Sequence, residues 1–116
     1  MNKRDIGSFY EDMAADYLRN NHFQILERNY HCRQGEIDII AQKNHMIHFI
    51  EVKYRKSSDY GYALETVDKK KQQKIKRTAL WYITQRGLSD DYAYSFDVIS
   101  IQGDDIIYNF NCFGGI

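Results

Sequence analysis

The chain has 116 residues, with 16 basic and 16 acidic side chains and a formal net charge of zero. That length suits one domain, residues 1–116, and excludes two. Neutrality excludes a surface that grips nucleic acid on every side, but not a local basic stripe. A hydrophobic fraction of 43% supplies a packed core, so disorder is not expected over most of the chain. Cys32 and Cys112 lie far apart and no C-x-x-C is present, so reduced thiols are expected rather than structural zinc. No window approaches the roughly 18 apolar residues of a membrane span. The basic N-terminus has no apolar stretch behind it, so no secretory signal is expected and a cytoplasmic location is.

From Lys3 to Asn20 the pattern predicts a helix, with Ile6, Phe9, Tyr10, Met13, Tyr17 and Leu18 recurring every three or four residues. Phe23 to Tyr30 reads as a strand with Phe23, Ile25 and Glu27 on one face, followed by a turn near Arg33-Gln34-Gly35. Glu36 to Ala41 alternates: Ile37, Ile39 and Ala41 face one way, and Glu36, Asp38 and Ile40 the other. After the polar stretch Gln42 to His45, Met46 to Tyr54 is apolar on both faces, as a central strand is. A second helix is expected over Asp68 to Gln85, stopped by Gly87. Two strands, Tyr92 to Ile101 and Ile106 to Phe110, close the chain around a Gly103-Asp104 turn. The order is helix, three strands, helix, two strands, an α/β sheet with helices packed on it.

Charges inside two of these strands point to chemistry. Asp38 sits between Ile37 and Ile39, Glu51 sits between Ile50 and Val52, and Lys53 follows two residues on. If Asn44-His45 is a two-residue hairpin loop, counting outward sets Lys43 opposite Met46, Ile40 opposite Phe49, Asp38 opposite Glu51 and Glu36 opposite Lys53. Facing carboxylates repel, and burial raises the cost unless protons or a cation compensate. A divalent cation with oxygen ligands resolves the conflict. A neighbouring lysine can orient or deprotonate water and stabilise charge on a phosphate. Alone, Glu51-x-Lys53 is far more often an ordinary surface pair, with Asp38 a solvated strand residue; the apolar flanks are what favour a site.

The spacing of Asp38 and Glu51-Val52-Lys53 resembles the D…(D/E)-x-K signature of restriction-endonuclease-like nucleases. More narrowly, the chain resembles the YraN family, uncharacterised predicted nucleases akin to archaeal Holliday-junction resolvases. The matching stretches are Gly7 to Glu11 with Ala14, Ala15 and Leu18; Gly35 to Ala41; Phe49 to Arg55; Lys71-Gln72; and Phe96-Asp97-Val98. The resemblance implies a restriction-endonuclease-like fold, a central mixed β-sheet flanked by helices, and Mg²⁺ or Mn²⁺ as cofactor. It implies a catalytic set of Asp38, Glu51, Lys53, Glu11 and Gln72, with Asp38, Glu51 and Glu11 on the metal. The chain departs from the family at Ser8-Phe9-Tyr10, where small or basic residues are usual, and at Glu65 to Asp68, where proline is common.

Glu11 lies beside Ala14, Ala15 and Leu18 on the helical wheel, where small neighbours would let its carboxylate approach the sheet. Gln72 aligns with Ile75, Ala79 and Ile83, so its amide needs an inner partner: a site water or phosphate, or a backbone carbonyl. Lys69, Lys70, Lys71, Lys74, Lys76 and Arg77 form an acid-free basic run that Arg55 and Lys56 extend, a candidate phosphate-contacting surface. Tyr54, Tyr60 and Tyr62 are candidates for stacking on bases. The expected function is a metal-dependent endonuclease acting on DNA, branched or otherwise structured. The alternative is a nucleic-acid-binding module that keeps the fold without cutting. No membrane partner is expected, and analogy with two-fold junction resolvases suggests a homodimer.

Overall fold

The computed structural model describes residues 2–55, 67–88 and 90–115. Its elements are α1 (Lys3–Asn20), β1 (Gln24–Cys32), β2 (Gly35–Lys43), β3 (Met46–Arg55), α2 (Lys69–Arg86), β4 (Ala93–Gln102) and β5 (Asp105–Asn109). This is the expected α/β architecture, a five-stranded mixed sheet in the order β1-β2-β3-β4-β5. All neighbours are antiparallel except β3 and β4, which run parallel. A parallel pair needs a crossover, and α2 lies in the connection between them.

Side-chain oxygens start both helices: Asn2 accepts the Asp5 N–H at 2.9 Å, and Asp68 accepts the Lys71 N–H at 2.8 Å. Gly87, at φ 62°, ends α2 in the left-handed conformation that glycine adopts without cost. Each helix packs against its own set of sheet residues. Ala14, Ala15 and Leu18 of α1 meet Ile39, Ala41, Ile50, Val52, Ile99 and Ile101. Ile75, Ala79 and Tyr82 of α2 meet Ile37, Ile40, Phe49, Phe96 and Val98. Among the described residues no helix is long and apolar enough to cross a membrane.

Three local readings change. The buried stripe of α1 is narrower than its aromatic periodicity implies: two alanines let the helix sit close, and Phe9 is left in solvent at 53% exposure. In β1 the register shifts between Ile25 and Glu27, where Leu26 is the extra residue of a bulge. Ile25 therefore stays with the α1 cluster, whereas Glu27 pairs with Arg86 of α2 at 2.6 Å. Finally, Ile37 packs with Ile40 in the α2 cluster while Ile39 and Ala41 pack in the other, so simple alternation breaks around Asp38.

Candidate active site

The break at Asp38 belongs to a split in the sheet. Asn44 and His45, at φ 51° and 65°, form the two-residue turn between β2 and β3. The pairing runs Lys43↔Met46 and Ile40↔Phe49 as counted from the sequence, but it ends at Ile39↔Ile50. β2 stays with β1 as far as Cys32↔Gly35, and β3 stays with β4 as far as Arg55↔Gln102. The expected pair of Asp38 with Glu51 is thus replaced: Asp38 Oδ2 accepts the Val52 N–H at 2.8 Å, and a side chain terminates the ladder. Glu36 correspondingly has no ladder partner in Lys53. It pairs with His31 on β1.

Around this split the carboxylates are crowded. Asp38 is pushed up to about 7, first by burial and then by the nearby charge of Glu51, against the opposing Val52 hydrogen bond. Glu11, reaching in from α1, is also raised, chiefly by burial, with Glu36 and Glu51 adding repulsion and Arg28 relieving part of it. Its Oε1 is buried with no hydrogen-bond partner among the described residues, and so is Arg28 Nε, although Arg28 pairs with Asp12 at 2.8 Å. An orphaned carboxylate oxygen in a desolvated spot is costly unless something compensates it.

Two lysines answer the negative charge. Lys71 of α2 sets Nζ 2.8 Å from Glu51 Oε1, and Lys53 Nζ lies 3.7 Å from the same oxygen. Lys53 is shifted down by burial and by its contact with Lys71. Lys71 is shifted up because its bond to Glu51 outweighs burial. Lys53 is therefore the member of the pair that gives up its proton more readily. Sequence reasoning assigned Lys71 to phosphate contact and did not place it on Glu51. The signal was present: Lys71 lies four residues before Ile75 and seven before Thr78, on the stripe that α2 buries.

Gln72 donates to the Val67 carbonyl at 3.0 Å, so its amide closes the start of α2 rather than reaching the carboxylates. Lys69, Lys70, Lys74 and Arg77 are exposed on α2, Arg55 is partly buried at the end of β3, and Lys76 donates to the Phe113 carbonyl at 2.8 Å. Lys56, Tyr60 and Tyr62 lie outside the described residues. A cavity of about 680 Å³ adjoins the site and is lined by His31, Glu36, Lys70, Lys71, Lys74 and Ile75 among others. Its basic side chains continue the site through Lys71, which belongs to both.

Among the described residues no group of three or more His, Cys, Asp or Glu side chains is positioned to hold a metal ion. The donor chemistry nonetheless suits Mg²⁺ or Mn²⁺, because such ions need only one or two protein carboxylates alongside water and phosphate. Asp38 and Glu51 offer hard oxygen donors in a site where burial and mutual repulsion oppose their charge.

The profile of the uncharacterised protein family UPF0102 matches residues 10–101, a span holding Glu11, Asp38, Glu51, Lys53 and Lys71. The chain belongs to the UPF0102 family. It is 45% identical over 106 residues to a UPF0102 protein of Photobacterium profundum, covering 90% of this chain and 85% of that one. A UPF0102 protein of Fusobacterium nucleatum is 48% identical over 106 residues, covering 91% and 88%. One from Clostridium botulinum is 47% identical over 98 residues, covering 84% and 80%. The UPF0102 match supports the family resemblance read from the motifs.

Proposed function

We propose that this UPF0102 protein is a metal-dependent nuclease of restriction-endonuclease-like type that hydrolyses phosphodiester bonds in DNA. The observation that carries the reading is the meeting of Asp38, Glu51, Lys53 and Lys71 where the sheet splits, with Asp38 raised to about 7 by burial and by Glu51. A fold gains no stability from carboxylates crowded in this way, so the arrangement makes sense as a site. Asp38 and Glu51 would hold a divalent cation with water and phosphate completing its shell, and its chemistry is to neutralise phosphate charge and acidify water.

The chain's own groups account for the remaining needs of hydrolysis. Val52 N–H fixes the Asp38 carboxylate in one orientation. Lys53, with its proton affinity lowered by burial and by Lys71, can orient an attacking water. Lys71 stays charged and can support negative charge growing on the phosphate. Lys70 and Lys74 in the adjoining cavity suit flanking phosphates.

One observation favours the alternative of a binding module that does not cut: Lys71 already neutralises Glu51, at 2.8 Å, as a retired site could be stabilised. Cleavage of labelled duplex, flap and four-way-junction DNA with Mg²⁺ or Mn²⁺ separates the two. The nuclease reading expects cutting by the native protein and none by Glu51→Ala or Lys53→Ala variants whose circular dichroism is unchanged. Binding without cleavage under either metal would establish the module instead.

A further inference from the structure

Phe9 and Tyr54, exposed, and Tyr10, partly buried between α1 and the sheet, form an aromatic ledge on α1 and β3. Tyr10 and Tyr54 stack with centroids 4.4 Å apart and planes at 13°, and Phe9 meets Tyr10 edge-on at 5.3 Å. Burial accounts for Tyr10, which packs against the α1 cluster, but not for Phe9 at 53% exposure or Tyr54 at 40%. Tyr10 directly precedes Glu11 on α1, and Tyr54 directly follows Lys53 on β3. The ledge lies on the α1 side of the sheet, where Val52 shares the face of Tyr54, and Glu11 reaches from that side toward the carboxylates; Lys53 and Lys71 meet Glu51 from the α2 side.

A duplex hides the faces of its bases in its own stack and offers only their edges and its phosphates. Aromatic faces on a protein surface are useful chiefly to a base that has left the stack. We infer that the site takes nucleic acid with unpaired nucleotides beside the bound phosphate, one base stacking on the Tyr54–Phe9 ledge on the α1 side of the split. For what happens to that strand the inference rests on the nuclease reading; for its binding it does not. The substrate class is therefore single strands, flaps and branch points rather than uninterrupted duplex.

The test is fluorescence anisotropy of the full chain in EDTA, where no cleavage can occur, using an end-labelled single strand, a splayed fork and a blunt duplex of one sequence. The native protein should bind the single strand and the fork about tenfold more tightly than the duplex, the range expected for one stacked base. Tyr54→Ala and Phe9→Ala should each reduce that preference several-fold, whereas Tyr54→Phe, which keeps a ring face, should preserve it. Trp81→Ala, which removes another exposed ring on α2 at 42% exposure, should leave it unchanged. A fluorescent purine analogue in the unpaired arm should be quenched by native protein and not by Tyr54→Ala. Equal affinity for duplex and single strand, or an undiminished preference in both Tyr54→Ala and Phe9→Ala, would overturn the inference. Failure of the nuclease reading looks different: the preference and the quenching would persist with no cutting when Mg²⁺ or Mn²⁺ is restored.

Discussion

Asp38 takes the Val52 N–H on its Oδ2 at 2.8 Å, at the point where β2 stops pairing with β3. The bond satisfies a strand amide that has lost its backbone partner, and it draws the carboxylate toward Glu51 in a place where burial already opposes charge. Because the folded value of about 7 lies above the ordinary aspartate value of about 4, the native state keeps this proton after the unfolded chain has lost it. The stability contributed by Asp38 is therefore full below about pH 4 and declines as pH rises to about 7. Asp38→Asn keeps an acceptor for Val52 and carries no charge. Its thermal midpoint should match the native protein at the acid end and exceed it increasingly toward pH 8, in the absence of divalent ions. A difference that does not vary with pH would show that Asp38 titrates normally.

Lys71 occupies the Glu51 oxygen that a divalent cation would also use. Lys71→Met should consequently tighten Mn²⁺ binding, by roughly threefold or more given what partly exposed ion pairs contribute. Glu51→Gln should weaken it by a larger factor. Free Mn²⁺ measured by electron paramagnetic resonance reads both effects without reference to activity. The native protein should also gain thermal stability with Mn²⁺, as any ligand of the folded state requires, and Glu51→Gln should lose most of that gain. If Lys71→Met binds Mn²⁺ no better than native protein, the ion pair and the metal do not compete.

Much of this site was legible because β-hairpin register follows from simple counting. Asn44-His45 adopts the expected left-handed turn, and the pairing from Lys43↔Met46 to Ile40↔Phe49 follows. Counting fails at the next step because a ladder can be ended by a side chain, and nothing in the residues near Asp38 distinguishes a paired aspartate from one that caps an amide. The bulge at Leu26 is hidden for a related reason: an extra residue in one strand changes no local composition but moves Glu27 to the other face. Lys71 was a different kind of omission. A run of lysines invites one common role, whereas helix geometry gives each its own direction, and only Lys71 of the first three is partly buried.

The seat of α2 on the sheet depends on Gly35. Its φ is +151°, and an added Cβ would lie 2.9 Å from Thr78 Oγ1, a buried hydroxyl that donates to the Lys74 carbonyl at 2.8 Å. Gly35→Ala should cost about 1–3 kcal/mol in urea unfolding, because the crowded helix cannot retreat without moving Lys71 and Lys74. Thr78→Ala removes the opposing oxygen, so the double variant should be less destabilised than the two single changes added together. Strict additivity would show that the helix yields elsewhere.

A buried polar cluster ties His48 on β3 to Ser95 and Asp97 on β4 and to Tyr108 on β5. Asp97 is fully buried, lies 2.6 Å from His48 Nδ1, and accepts the Tyr108 hydroxyl and the Asn111 N–H. Ser95 Oγ at 2.9 Å and the Tyr108 hydroxyl at 3.3 Å approach the same His48 nitrogen, so three side chains converge on one ring atom, and a proton relay would need both nitrogens. Burial pushes the Asp97 carboxyl up, but the bonds from His48, Asn111 and Tyr108 more than offset it and hold it below the usual range. A depressed carboxylate contributes stability that is present above about pH 4 and is lost as pH falls through the lower folded value. Asp97→Ala would remove the shared acceptor of buried His48, partly buried Tyr108 and the Asn111 N–H, and should cost about 1–3 kcal/mol, read as a lower urea midpoint with unchanged slope. The damage should concentrate at the C-terminal segment, where Asn111 loses its acceptor and Cys112 N–H on the Phe96 carbonyl at 2.7 Å remains as a neighbouring anchor. Limited proteolysis should therefore cut Asp97→Ala near Asn111–Phe113 well before native protein, while DNA binding at low temperature stays within about twofold because no site residue has been touched. Loss of binding at full foldedness would show that the cluster reaches the site through β3, where Asp97 sits opposite Ile50, one residue from Glu51.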